Sequence, residues 1–204
     1  MTSREGLQNP CGKPAPANGM QRKADSKHPP LPFAPDPAAL QGLPPLVNTQ
    51  IRVLILGSFP GVASLQAGQY YAHPRNQFWP LLAAIWPEHP QPTDYAGRCA
   101  WLLERGVGLW DVYASCQRQG SLDSAIENAR LNDFPVLAAQ CPQLRLIAHN
   151  GGESHRHARL TRDLAAQTLR LPSSSPANAS WSFARKLEAW RQAMRMAGLL
   201  PLSD

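Results

Sequence analysis

The chain has 204 residues, 43% of them hydrophobic, and a formal net charge of +6. That length suits one domain with a sizeable core plus a tail. Nowhere does it hold an 18-residue apolar span or the apolar stretch of a secretory signal, so the expectation is a soluble, cytoplasmic protein with no membrane segment.

The first segment is set apart by composition. Ten of the 21 prolines fall between Pro10 and Pro45, among Ala, Gly and Lys, with no periodicity that would bury a face. Such a stretch cannot recover its ordering entropy, which predicts a disordered Pro-rich tail over 1–46 and a folded domain over 47–204. The run VLILG then reads as a strand over 52–57, apolar throughout as in a parallel sheet covered on both faces. It breaks at Gly57 into a polar, aromatic-rich loop, SFPGVASLQAGQYYAHPRN, before any helix begins. Helices follow at 77–86 and 95–105, then a strand at 108–112, a helix at 133–141, a strand at 144–150, a helix at 153–166 and a strand at 168–171. The last helix is capped by Ser180, shows Phe183, Leu187, Trp190 and Met194 on one face, and ends at Gly198. Alternating strands and helices predict a doubly wound α/β fold, a short central parallel sheet flanked by helices.

Ligands of such sheets bind at the carboxyl ends of the strands, which places Gly57, Ser58, Phe59, Pro60 and Gly61 at a site. GSFPGVAS has neither the G-x-G-x-x-G nor the G-x-x-x-x-G-K-[ST] spacing, so a dinucleotide or nucleoside-triphosphate site has little support. Four cysteines at 11, 99, 116 and 141 form no C-x-x-C pair, and no metal or other cofactor is called for. His155 and His157, beside Arg156 and Arg159, lack a carboxylate or cysteine at ligand spacing and read as a solvated basic face. Between Asn48 and Asp204 the 15 Lys and Arg outnumber 11 Asp and Glu, and Lys186 is the one lysine among them. Arginine suits bidentate phosphate contacts, and a basic surface suits a polyanion.

GSFPG paired with YYAHPRNQFW, GVGLWDVYASCQRQGSLDSAI at 106–126, HNG at 149–151 and LPSSSPANA at 171–179 resemble, in order and spacing, the hypoxanthine-DNA (deoxyinosine) glycosylases of the uracil-DNA glycosylase superfamily. The resemblance runs from about 51 to 199 and implies a uracil-DNA glycosylase-like fold. Some relatives carry an iron–sulfur cluster on clustered cysteines, whose ligands this chain lacks. It places the family's functional Asn at Asn76. Mismatch-specific uracil/thymine glycosylases look like G-x-N-P-G followed by F-A-H-P-x-N-R-F-W, with the catalytic Asn in the first motif. Here that position is Phe59, which throws the weight onto Asn76. A carboxamide that holds water in line supplies positioning rather than proton abstraction. The alternative is that Asn76 caps the following helix.

By the same resemblance Tyr71 stands where relatives stack an aromatic ring on the extruded base, with Tyr70 and Phe59 as pocket walls. Base–aromatic stacking is commonly worth about 1–3 kcal/mol. Asp111 stands where uracil glycosylases with a GVLLLN segment place a base-recognising Asn. A carboxylate there accepts from hypoxanthine N1–H, whereas adenine N1 is unprotonated; the alternative is an Asp that satisfies nearby backbone N–H groups or Ser121. Asn150 lines the pocket, and His149 departs from the aromatic more usual in the family. Ser173, Ser174, Ser175, Pro176, Ala177 and Asn178 form the DNA-contacting loop, where Ala177 and Asn178 are small for a wedge; the same segment also reads as a strand-to-helix turn.

These readings predict an enzyme, a monomer acting on DNA that contains a deaminated base: hypoxanthine first, then uracil or xanthine. It flips the base out, hydrolyses the N-glycosidic bond and leaves an abasic site, monofunctionally, because Lys186 in the last helix is the one amine outside the tail available for a Schiff base and is read as a phosphate contact or solvated charge. A nucleic-acid-binding module without turnover and a nucleoside hydrolase remain the alternatives.

Overall fold

Apolar five-residue runs build the centre of the computed structural model, which describes residues 39–201. In chain order the elements are β1 (Leu40–Gln41), β2 (Val53–Gly57), α1 (Val62–Ala67), α2 (Phe78–Ile85), α3 (Tyr95–Glu104), β3 (Val107–Asp111), β4 (Tyr113–Gln117), β5 (Glu127–Leu131), α4 (Phe134–Ala139), β6 (Leu146–Asn150), α5 (Gly152–His155), α6 (Ala158–Thr161), β7 (Gln167–Leu171) and α7 (Phe183–Met196). The main sheet is parallel in the order β3-β2-β6-β7. β3 is added on one side of β2 and β6 and β7 on the other, so the strand order reverses at β2 and the crevice lies beyond the carboxyl ends of β2 and β6.

Period-two alternation divides β2 between two cores. Val53 and Ile55 join Phe78, Leu82, Leu102, Trp190 and Met194 on the face covered by α2, α3 and α7. Leu54 and Leu56 join Trp110, Val112, Phe134, Leu137 and Ile147 on the other. Helices thus cover both faces, and the doubly wound α/β architecture read from the sequence is present.

Five expectations are corrected. A second, antiparallel sheet in the order β1-β4-β5 accompanies the first; every residue of β5 is exposed, so no buried alternation marked it. Helix α1 starts within the loop expected to be free of helix and buries only Ser64. The helix expected over 153–166 splits into α5 and α6, because its buried groups are polar. Ser154 donates to Leu56 O (2.8 Å), so its oxygen accepts from His149 Nδ1 (2.8 Å), and His149 Nε2 faces Thr161 Oγ1 at 3.1 Å. Burial holds His149 near a pKa of about 4, neutral at physiological pH. His157 lies 2.8 Å from Tyr113 Oη, so that stretch is no simple solvated face. Finally, α7 is capped by Ser182 rather than Ser180, and Phe183 is exposed.

The domain boundary expected at 46 also moves. Leu46 exchanges two 2.9 Å backbone hydrogen bonds with Leu109 along the free edge of β3, and Leu43 and Leu46 pack on the core. Tyr70 Oη donates to the carbonyls of Leu43 and Pro44 (3.3 and 3.0 Å). Residues 39–46 therefore belong to the fold; the expected disorder of 1–38 lies outside the described residues.

A chain beginning at residue 47 loses β1, the strap along β3 and two leucine contacts, a deficit on the order of 3 kcal/mol. Its thermal unfolding midpoint, followed by circular dichroism, should fall by about 10 °C relative to a chain beginning at 39. Equal midpoints would return the boundary to 46.

Candidate active site

The four parallel strands end almost level. Gly57 is in register with Asp111, and Asn150 with Leu171. The loops leaving these ends surround a cleft of about 1150 Å³, lined by strand-end, tyrosine, HPRN and serine-loop residues alike. All the residues expected at a site are brought together there, but in unequal roles.

Tyr71 lies in the left-handed region (φ 55°) that a bulky residue adopts at a cost on the order of 1 kcal/mol. Two contacts hold it. Its ring stacks on Phe78 at 3.9 Å and 15°, and its hydroxyl accepts from Asn150 Nδ2 at 3.2 Å. Burial, reinforced by the Asp111 charge, pushes that hydroxyl's pKa up, so it stays protonated.

Asn150 is occupied by the protein. Its second amide hydrogen goes to Ser174 Oγ (2.9 Å) and its oxygen accepts from Ser174 N (2.9 Å). It positions Tyr71 and the serine loop, with one lone pair to spare for a base. Gly151 follows at φ 111°, where a Cβ would stand 3.1 Å from that of Ser173. Tyr70 and Phe59 are core residues, 4% and 6% exposed, that contribute wall. The Tyr70 hydroxyl is taken by the 43–44 carbonyls and cannot address a base edge.

Asp111 ends β3 with its side chain 4% exposed and Oδ2 without a hydrogen-bond partner in the protein. Neither Ser121 nor a backbone N–H takes that oxygen; Ser121 Oγ instead accepts from Val62 N (2.9 Å). The other oxygen lies over Gly57, where a Cβ would approach it to 2.2 Å, so only glycine fits beneath the carboxyl. Burial, then the neighbouring Asp123, raises the Asp111 pKa to about 7, with Arg118 opposing. Asp123 itself is pushed up by burial while it accepts from Ser58 Oγ (2.6 Å).

Asn76 lines the cleft, and its Oδ1 accepts from Phe78 N (2.9 Å). It does brace the start of α2, and that bond fixes its carboxamide plane. The Nδ2 hydrogens and the second Oδ1 lone pair have no protein partner among the described residues. The cap reading and the water-holding reading are thus compatible in one rotamer.

The serine loop is held from below. Ser174, fully buried, accepts at its carbonyl from Gln77 N (2.9 Å), and Pro172 O accepts from Trp190 Nε1 (3.1 Å). Lys186, expected as a phosphate contact or solvated charge, is instead 2% exposed. Its ammonium donates to Gln77 Oε1 and Asn178 O, both at 2.9 Å, and burial lowers its pKa. Four contributors were missed: Asp123, Arg118, Lys186 and Trp181. The GSLDS motif marked the first. Arg118, which bonds Pro60 O and lies 5.1 Å from the Phe59 ring, carried no local signal.

A parallel sheet whose strand-end loops pair a stacked tyrosine with carboxamides and an isolated carboxyl is the frame of a base-excising hydrolase. Residues 44–195 match the family model of the uracil DNA glycosylase superfamily, and the chain belongs to that superfamily. It is 37% identical over 155 residues to the hypoxanthine DNA glycosylase of Methanosarcina barkeri, covering 76% of this chain and 98% of that one. The Methanosarcina acetivorans hypoxanthine DNA glycosylase matches with the same identity and coverage. A solution NMR structure of a Methanosarcina acetivorans protein, proposed to be a uracil DNA glycosylase, superposes with a TM-score of 0.69 at 36% identity over 78% of this chain and 99% of its own.

With Asp111 raised from 3.8 to about 7, the folded chain binds more protons than the unfolded one between those values, so this group's contribution to stability falls as pH rises through that window. The loss amounts to no more than about 4 kcal/mol. Asp111→Asn has no such titration, so its unfolding midpoint should gain on the wild type between pH 4 and pH 8. Parallel midpoint curves would mean that Asp111 titrates normally.

Proposed function

We propose that this protein is a DNA glycosylase that extrudes a deaminated base, hypoxanthine first and uracil or xanthine after it, and hydrolyses its bond to deoxyribose. The observation that carries this reading is the unpartnered Asp111 carboxyl facing the same cleft as Tyr71 and Asn76. Hypoxanthine N1–H and uracil N3–H are donors that an ionised Asp111 accepts, while adenine N1 would leave it unpaired, the costlier arrangement for a buried charge. Tyr71, backed by Phe78, supplies a ring held in place for stacking.

Bond cleavage needs little from the protein beyond placement. Asn76 Oδ1 has a lone pair left to accept one water proton and hold the water against C1′. As the C1′–N9 bond of hypoxanthine breaks, its electron pair leaves with the purine, the water oxygen bonds to C1′, and the surplus proton passes to the base or to solvent. Lys186 is bonded to Gln77 and Asn178 and buried, which supports a monofunctional enzyme rather than Schiff-base chemistry. Among the described residues no helix is long and apolar enough to cross a membrane. We retain a monomer acting inside the cell as part of this reading.

A duplex oligonucleotide with one deoxyinosine should acquire an alkali-sensitive site at that position and no break before alkali. Asn76→Ala should lower single-turnover excision on the order of 100-fold while still binding the duplex; near-native excision by the folded variant would remove Asn76 from the role. Absence of any nick with wild type would favour a binding module, and release of hypoxanthine from free deoxyinosine a nucleoside hydrolase.

If the ionised carboxylate reads the base edge, wild-type excision should rise about tenfold between pH 6 and pH 8, following ionisation near pH 7. Asp111→Asn should flatten that profile and reorder hypoxanthine, uracil and xanthine. An unchanged profile and ranking would place Asp111 outside direct contact.

A further inference from the structure

Extrusion of a nucleotide leaves a gap in the stack, and holding that gap open calls for an apolar side chain inserted from the rim of the site. This inference rests on one part of the reading above, that the protein extrudes a base from duplex DNA. Ala177 and Asn178, in the loop expected to approach DNA, are small for the task. Two large apolar side chains do line the cleft while exposed: Leu122, on the loop after β4, and Trp181, just beyond the serine loop.

They differ in support. Trp181 immediately precedes Ser182, whose hydroxyl caps α7, and α7 is anchored one turn later by buried Lys186 and two turns later by fully buried Trp190. The indole is 37% exposed, and its N–H has no protein partner among the described residues. Arg185 places its guanidinium 4.4 Å from the ring centroid. With the guanidinium over one face, the other face of the flat ring can stack on a base of any identity, and the cation's outer edge suits the neighbouring phosphate. Leu122 offers neither a stacking face nor an adjacent cation in ring contact, and its loop is held through Ser121 and Asp123 by single hydrogen bonds.

We propose that Trp181 is the wedge: it inserts beside the extruded nucleotide and stacks on the base pair left behind, with Arg185 orienting it against the backbone. Trp181 is a positioning residue, acting on the duplex rather than on the reacting atoms. Its removal should therefore matter in proportion to how much stacking must be broken. A single strand needs little of that help, whereas a duplex needs most of it.

The test compares excision of deoxyinosine from a duplex and from the same strand alone. In Trp181→Ala the duplex rate should fall about tenfold or more relative to the single-strand rate, a stacking interaction's worth; Trp181→Phe should recover most of the ratio, and Leu122→Ala should hold it within about twofold. The single-strand rate controls for folding. A second readout does not depend on turnover: 2-aminopurine placed beside the deoxyinosine should brighten when the wild type binds the duplex, remain dim with saturating Trp181→Ala, and brighten with Trp181→Phe. An unchanged duplex-to-single-strand ratio or full brightening with Trp181→Ala would overturn the assignment, as would transfer of the loss to Leu122→Ala. Brightening by a wild type that excises nothing would instead overturn the glycosylase reading and leave the wedge standing.

Discussion

The Asn150 carboxamide is the tie on which the cleft depends. One amide edge reaches Tyr71 on the loop after β2, and the same group closes a two-way pair with Ser174 on the loop after β7. Ser174 then accepts from Gln77 at the start of α2, so two loops about a hundred residues apart in sequence are closed into one ring of hydrogen bonds. Tyr71 can remain in its left-handed backbone because the ring of bonds and the Phe78 stack act on it together. Without the tie, a strained tyrosine and a serine-rich loop would both relax, and the reacting geometry would loosen with them.

Charge is distributed with the same economy. Asp111 is buried at the end of β3, and the nearby charge of Asp123 adds to burial in discouraging its ionisation. Arg118 stands close enough to offset part of this while covering the Phe59 ring. Over residues 48–204 the 15 Lys and Arg exceed the 11 Asp and Glu, and Lys186, the one lysine among them, is buried. That excess of positive charge suits a polyanion, while the interior holds a carboxyl oxygen, Asp111 Oδ2, with no partner in the protein. A buried acceptor left unpaired costs stability locally.

The parts legible in the sequence were those that bury apolar side chains. VLILG, VGLWD and LIAHN could hardly be anything but interior strands, and their ends located the cleft. Elements that bury little were invisible: β5 is exposed along its length, β1 has two residues, and α1 hides one serine. Polar anchoring defeated the periodic reading twice. The helix expected after β6 is broken by its attachment to His149, and Lys186 looked like a surface charge although its ammonium is a buried strut. The residues that motif spacing picked out line one cleft, but the spacing did not show how differently they are bonded. Tyr70 is drawn into the core by its hydroxyl's bonds to the Leu43 and Pro44 carbonyls, which lie outside the motif.

The buried strut has a chemical corollary. With Lys186 enclosed, every solvent-facing cation of residues 48–201 other than histidine is a guanidinium, and the remaining lysines, Lys13, Lys23 and Lys27, all precede the described fold. Guanidinium groups stay protonated across any physiological pH and do not accept the acetyl or other acyl groups that neutralise amines. The exposed positive charge of residues 48–201 is therefore beyond the reach of lysine acylation, and a reagent or modifying enzyme that targets lysine amines finds them only in the leading segment.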